Sequence, residues 1–217
     1  MGESTGLFSR LFLRLGAQMD DRGARESRRE LVASAAGTVV EIGAGYGATF
    51  ELYGDGVASV LAFEPDTALR AAASEAARKA AARSGIPITV VEGVGEAIPV
   101  ADASIDTVVS SLVLCSVGSQ AEVLAEIRRV LKPGGRFLFY EHVRSANRGL
   151  AVLEDAATPL WSRLAGGCHP NRDTVGAIEA SGFRVEQSRT FGFSVLAGIP
   201  PVDHVIGIAV NGSRGNG

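Results

Sequence analysis

Val39-Val40-Glu41-Ile42-Gly43-Ala44-Gly45-Tyr46-Gly47-Ala48 is the stretch that decides the fold. An apolar run carrying one acid enters three glycines spaced two apart. Glycine turns tightly at positive φ and, lacking a Cβ, lets a ligand come close to the backbone. Outward from it, strand-like and helix-like segments alternate. Segments 38–42, 57–63, 88–91, 107–112 and 136–140 read as strands one to five. A helix is expected after Gly47. Asp66 N-caps an alanine-rich helix running through Arg83 and ended by Gly85. Ser119-Gln120-Ala121-Glu122 is a capping box opening a helix to Leu131. This repetition predicts an α/β chain with a parallel, doubly wound sheet.

The ends differ from the middle. Helices are predicted over 22–35, over 147–164 with a break at Pro159, and over 172–180 with Gly182 as the stop. Strand six is 183–188. The apolar stretch 202–210 follows it with no helix between, so it is predicted to pair antiparallel. Leu7, Phe8, Leu11, Phe12 and Leu15 form a helical stripe, with Arg10 and Arg14 on another face. That stripe is read as a lid helix in preference to a membrane-surface helix, because it is short and its basic face small.

With 217 residues, the chain fits one α/β domain. A net charge of -3 gives no electrostatic footprint for nucleic acid. Arg22, Arg25, Arg28 and Arg29 are offset by Asp20, Asp21, Glu26 and Glu30, and read as a solvated helix face. Two separated cysteines, Cys115 and Cys168, suggest a reducing compartment, and a cytoplasmic protein is expected. The nearest approach to a membrane span, 191–210, is interrupted by Pro200, Pro201, Asp203 and His204. Oligomeric state is not legible.

The glycines point to a nucleotide-like cofactor, and two readings fit. Gly43, Gly45 and Ala48 also satisfy the looser dinucleotide pattern. Either cofactor needs an acid at the end of strand two to grip ribose hydroxyls, and Glu64 stands there. Glu41 separates them. A pyrophosphate at a helix N-terminus is repelled by a nearby carboxylate, whereas a cofactor with sulfonium and ammonium groups is attracted to one. The nicotinamide reading survives only if Glu41 points away from the ligand.

Glu41–Gly47, Glu64, Gly93-Val94-Gly95-Glu96-Ala97-Ile98-Pro99, Asp102-Ala103-Ser104-Ile105-Asp106-Thr107-Val108-Val109 and Leu131-Lys132-Pro133-Gly134-Gly135 together resemble the class I S-adenosylmethionine (SAM)-dependent methyltransferases, chiefly the type 11 group. The resemblance implies SAM as cofactor and a Rossmann-like, seven-stranded sheet, mostly parallel with an antiparallel last strand. It implies N-terminal helices over 1–36 on the substrate side and a methyltransferase domain over 37–217. Ser111–Val117, Tyr140–Val143 and Trp161–Thr174 are similar to the methyltransferase-like thiol S-methyltransferases, which methylate hydrogen sulfide and small alkyl thiols. A small-molecule thiol or sulfide is therefore the first expectation. An O-, N- or C-methyltransferase of secondary metabolism, a phospholipid head-group N-methyltransferase and a SAM-binding module without turnover are the rivals.

Carried over by resemblance, Glu41 orders the methionine end, directly or through water. Gly43, Ala44, Gly45 and Tyr46 line the methionine and ribose. Glu64 and Pro65 lie at the ribose, Gly95 and Glu96 flank adenine, and Ser111 and Leu112 back the methionine. Many relatives have Asp where this chain has Val94, so adenine is read by a neighbour such as Glu96 or by backbone. His142, after strand five, is a candidate base or a structural histidine; His169 is a candidate to close over substrate or a loop residue near a cap at Asn171. Glu141 should point away from His142's side. Cys115, Phe12 and Trp161 are expected in the substrate pocket, with Tyr46 and Tyr140 as further possible walls. Cys115, Cys168, His142 and His169 lack the C-x-x-C or H-x-x-x-H spacing of metal sites, so no metal is expected.

Overall fold

The computed structural model describes residues 9, 12–14, 16, 18–194 and 201–212. Strands β1 (Gly37–Ile42), β2 (Val57–Phe63), β3 (Ile88–Val91), β4 (Ile105–Ser111), β5 (Leu131–His142), β6 (Phe183–Phe193) and β7 (Val202–Asn211) form one sheet in the order β3-β2-β1-β4-β5-β7-β6. The pairs from β3 through β5 are parallel, and β7 runs antiparallel to both β5 and β6. This is the mixed sheet that the strand pattern predicts. β1 has β2 on one side and β4 on the other, so the strand order reverses there. Helical connections leave in opposite senses at such a point and open a crevice at the carboxyl ends of the strands.

Both faces of the sheet are buried, because neighbouring residues of a strand point to opposite sides. Val40, Ile42, Val108, Phe137 and Phe139 pack with Leu124 and Ile127 on one face. Val39, Val109, Leu138 and Tyr140 pack with Leu31, Ala73 and Ala77 on the other.

The helices are α1 (Arg25–Val32), α2 (Thr67–Ser84), α3 (Gln120–Val130), α4 (Arg148–Leu164) and α5 (Thr174–Ala180). Asp66 caps α2 by accepting the Ala68 and Leu69 N–H groups, and Gly85 ends it at φ 77°. Ser119 caps α3 through the Glu122 N–H. Both caps agree with the sequence signals.

Four expectations need correction. The segment after Gly47 forms only a 3-10 turn, Phe50–Leu52, because the hydroxyls of Thr49 and Tyr53 are bound to Glu41 and Tyr53 is extended. The helix expected over 22–35 is shorter: a π-turn, Asp20–Ala24, precedes α1, and Gly23 at φ 114° lets the chain bend. α4 runs unbroken through Pro159. Pro159 and Asp155, whose carbonyl it cannot serve, are exposed to water. Finally, α5 is capped by Asp173 through the Gly176 N–H, while the Asn171 amide donates to Asp155.

Of the N-terminal stripe, Leu7, Phe8, Arg10, Leu11 and Leu15 lie outside the described residues, while residues 12–14, 16, 18 and 19 are helical. No helix among the described residues is long and apolar enough to cross a membrane.

Candidate active site

A cavity of about 560 Å³ opens where β1 and β4 diverge, within the size range of small-molecule sites. Its floor is the glycine loop after β1. Gly43 and Gly45 have φ 61° and 57°, and a Cβ on Gly43 would lie 2.4 Å from Val113 Cγ2. No side chain larger than hydrogen fits at Gly43 without displacing Val113.

Two buried acids stand at the ends of neighbouring strands. The Glu64 carboxylate accepts the Gly45 N–H at 2.8 Å through one oxygen and the Asp66 N–H at 2.9 Å through the other. Burial pushes its pKa up, and those two N–H groups offset part of the rise. Each oxygen keeps acceptor capacity on the cavity side, which suits two adjacent hydroxyls. Glu41 accepts from the Thr49 and Tyr53 hydroxyls at 2.6–2.7 Å. Burial pushes it up to about 7, against those hydrogen bonds and the charge of Arg28. A carboxylate held at that point favours a cationic ligand group, which would restore its full charge.

The far wall comes from β4 and the loop after it. Leu112 has φ 61°, unusual for a residue with a side chain, and Ser111 Oγ is buried without a hydrogen-bond partner. Both line the cavity, as do Ala44, Tyr46, Pro65, Gly95 and Glu96. An open glycine cradle, an orphaned hydroxyl, a strained strand end and two acids suited to ribose and ammonium together fit SAM.

Phe12 crosses the glycine loop, its ring centroid 5.6 Å from that of Tyr46. The Tyr46 hydroxyl donates to Asp20, and Asp20 is paired with Arg28. Arg28 is only 4% exposed and lines the cavity. It corrects the reading of the basic group as a wholly solvated face: the helix turns this one arginine inward, where Asp20 neutralises it.

Cys115, His142, Trp161 and Cys168 also line the cavity. His142 Nδ1 is 3.3 Å from the sulfur of Cys115 and 3.3 Å from that of Cys168. His204 packs on His142 with ring centroids 4.4 Å apart, and burial, helped by His142, pushes His204 down to about 3. Glu141, pointing the other way as strand alternation requires, is buried. It accepts from Ser110 Oγ and from the N–H groups of Val113 and Cys115, fixing the loop that carries Cys115.

Of the residues singled out in the sequence, two do not reach the cavity. His169 turns its ring to the Gly167 carbonyl at 2.6 Å while its N–H donates to Cys115 O, so the tight turn consumes it. Tyr140 is fully buried and stacks on Phe191 and His204. Cys115, Cys168 and His142 nevertheless converge from three separate segments, while His169 does not join them. Thr49, Tyr53 and Arg28 carried no sequence signal for the site, because their roles arise only from the tertiary fold.

Residues 40–139 match the family described as methyltransferase domain. The chain is 36% identical over 149 residues to thiol S-methyltransferase TMT1B of Rattus norvegicus, covering 67% of this chain and 59% of that protein. It is 38% identical over 112 residues to TMT1B of Homo sapiens, covering 51% and 45%. The chain thus spans less than two thirds of the length of these curated relatives. Among solved structures, it superposes on a SAM-dependent methyltransferase of Thermotoga maritima with TM-score 0.68 and 21% identity, covering 95% of this chain and 99% of that one. The domain match implies SAM as the cofactor of the cleft.

Proposed function

Because the chain carries a methyltransferase domain over residues 40–139, we propose that it transfers a methyl group from SAM to a small-molecule thiol or sulfide. The observation that carries this reading is the composition of the acceptor end, where two sulfurs and an imidazole meet under Trp161. SAM supplies an electrophilic methyl and a good leaving group. The protein's task is then to place a nucleophile in line with it. A thiol is partly ionised near neutral pH and needs little help in losing its proton, so a weakly basic, mostly apolar end is sufficient. An aliphatic alcohol would need a strong base, and Glu141, the nearest carboxylate in sequence, is turned into the core.

In this reading Glu64 grips the ribose, Glu41 faces the ammonium, and Gly95 and Glu96 flank the adenine. His142 is the polar contact for the acceptor sulfur, with Cys115 and Trp161 shaping its apolar surroundings. Residues 1–36 act as the lid of domain 37–217. The contacts of Phe12 and Arg28 with the cavity support that role. The likeness to rat and human thiol S-methyltransferases supports the choice of sulfur. The test is turnover of SAM by the purified chain with methanethiol and hydrosulfide, against phenols, amines and phosphatidylethanolamine. Faster turnover of phenols or amines than of thiols would overturn the choice of acceptor.

A further inference from the structure

Two sulfurs lie 3.3 Å from one ring nitrogen and also contact each other. A ring nitrogen carries either one lone pair or one N–H, so it can serve only one sulfur well. The ligand atoms of Cys115, His142 and Cys168 all lie within 4.8 Å of one another. In tetrahedral zinc sites, metal–sulfur bonds of about 2.3 Å and metal–nitrogen bonds of about 2.0–2.1 Å put sulfur and nitrogen roughly 3.6 Å apart. The observed spacing is close to that.

The convergence is also enforced from outside. The His169 N–H donates to Cys115 O at 2.7 Å, and the Arg172 guanidinium donates to Leu114 O at 2.7 Å. These bonds latch the loop of Cys168 onto the loop of Cys115. Gly167, at φ 89°, permits the approach: a Cβ there would lie 3.0 Å from Ser116 O. The Cys115 N–H is anchored on Glu141, and the Thr174 hydroxyl donates to His142 O at 3.4 Å. Cys115 is 1% and Cys168 5% exposed, yet all three residues border the cavity. Two thiolates and a neutral imidazole around a divalent cation carry no net charge, which suits that burial.

We propose that Cys115, His142 and Cys168 bind a thiophilic divalent cation of the zinc class, with its fourth position open to the cavity for the acceptor's sulfur. Three protein ligands and one open position make a catalytic rather than a structural zinc site. An acceptor thiol taking that position exchanges its S–H bond for a sulfur–metal bond and releases the proton to solvent. The sulfur keeps a lone pair for attack. The occupant of the fourth position rests on the thiol reading above; the three-ligand site does not.

The full chain, reduced and stripped with a chelator, is titrated with Co²⁺ and then Zn²⁺. The expected result is one equivalent per chain, with sulfur-to-cobalt charge-transfer absorption and the strong visible bands of a tetrahedral site. Cys168→Ser should weaken binding by more than about 100-fold, beyond the 10- to 100-fold typical of changes that merely reorient ligands. SAM binding by calorimetry verifies that this variant is folded, and Cys115→Ser provides the second ligand test. Absence of cobalt–sulfur absorption in the wild type, or undiminished absorption and affinity in both variants, overturns the site. Adding methanethiol to the cobalt form should shift the absorption; an unchanged spectrum overturns the open position. A shifted spectrum with no thiol methylation supports the metal site while defeating the proposed reaction.

Discussion

At the scale of single residues, the two buried acids make separable predictions. Glu64 accepts from two backbone N–H groups, that of Asp66 in its own loop and that of Gly45 in the loop after β1. Hydrogen bonds to a charged group contribute about 1.5–3 kcal/mol, so Glu64→Ala should weaken SAM binding roughly 10- to 100-fold by calorimetry. Unchanged affinity would remove it from the site. Glu41 titrates at about 7 in the folded chain against an ordinary 4.5. Between those values the folded state binds more protons than the unfolded one, so this acid lowers stability as pH rises through the window. A cation beside it reverses the shift, and SAM binding near pH 6 should release a proton. Calorimetry in buffers of different ionisation enthalpy should detect that release in the wild type and lose it in Glu41→Gln. No release in the wild type would mean that Glu41 meets no cationic group. Glu41, Glu64 and the glycines were legible because their positions relative to strand ends are fixed locally. Cys168 and Arg28 were not, since a contact between distant segments leaves no periodic trace.

At the scale of elements, the sequence is most reliable where one residue sets a boundary. Asp66, Gly85 and Ser119 cap their helices as their types demand. Asp66→Ala should lower stability by about 1 kcal/mol, measured by urea unfolding. A loss near zero would show that solvent compensates fully for the cap and for the Ser9 hydroxyl bond that Asp66 also accepts. Boundaries set by tertiary contact were misread. The helix expected after Gly47 is absent because its hydroxyls serve Glu41. β5 and β6 outrun their predicted ends because β7 pairs along both. In β7, Gly207 faces Phe139, and a Cβ there would lie 2.5 Å from the ring and 2.6 Å from Gln187 O. Gly207→Ala should therefore lower stability by about 1–3 kcal/mol, the range typical of overpacking. An unchanged thermal midpoint would contradict that packing.

At the scale of the whole molecule, the strand order places a crevice between β1 and β4, where the glycine loop, Glu41 and Ser111 stand. The architecture was legible because alternating strand and helix signals leave few topologies open. The acceptor was less legible, because the same fold serves many chemistries and specificity lies in side chains brought in by loops. Phe12 and Arg28 reach the cavity from the N-terminal segment. Deleting residues 1–18 should raise the Michaelis constant for the acceptor several-fold while leaving a folded, SAM-binding chain. Unchanged kinetics would defeat the lid. The most direct test of the central claim is formation of S-adenosylhomocysteine by the purified chain over a panel of hydrosulfide, alkyl thiols, phenols, amines and phosphatidylethanolamine. The account predicts turnover concentrated on hydrosulfide and small thiols. Turnover confined to an oxygen, nitrogen or carbon acceptor would contradict it.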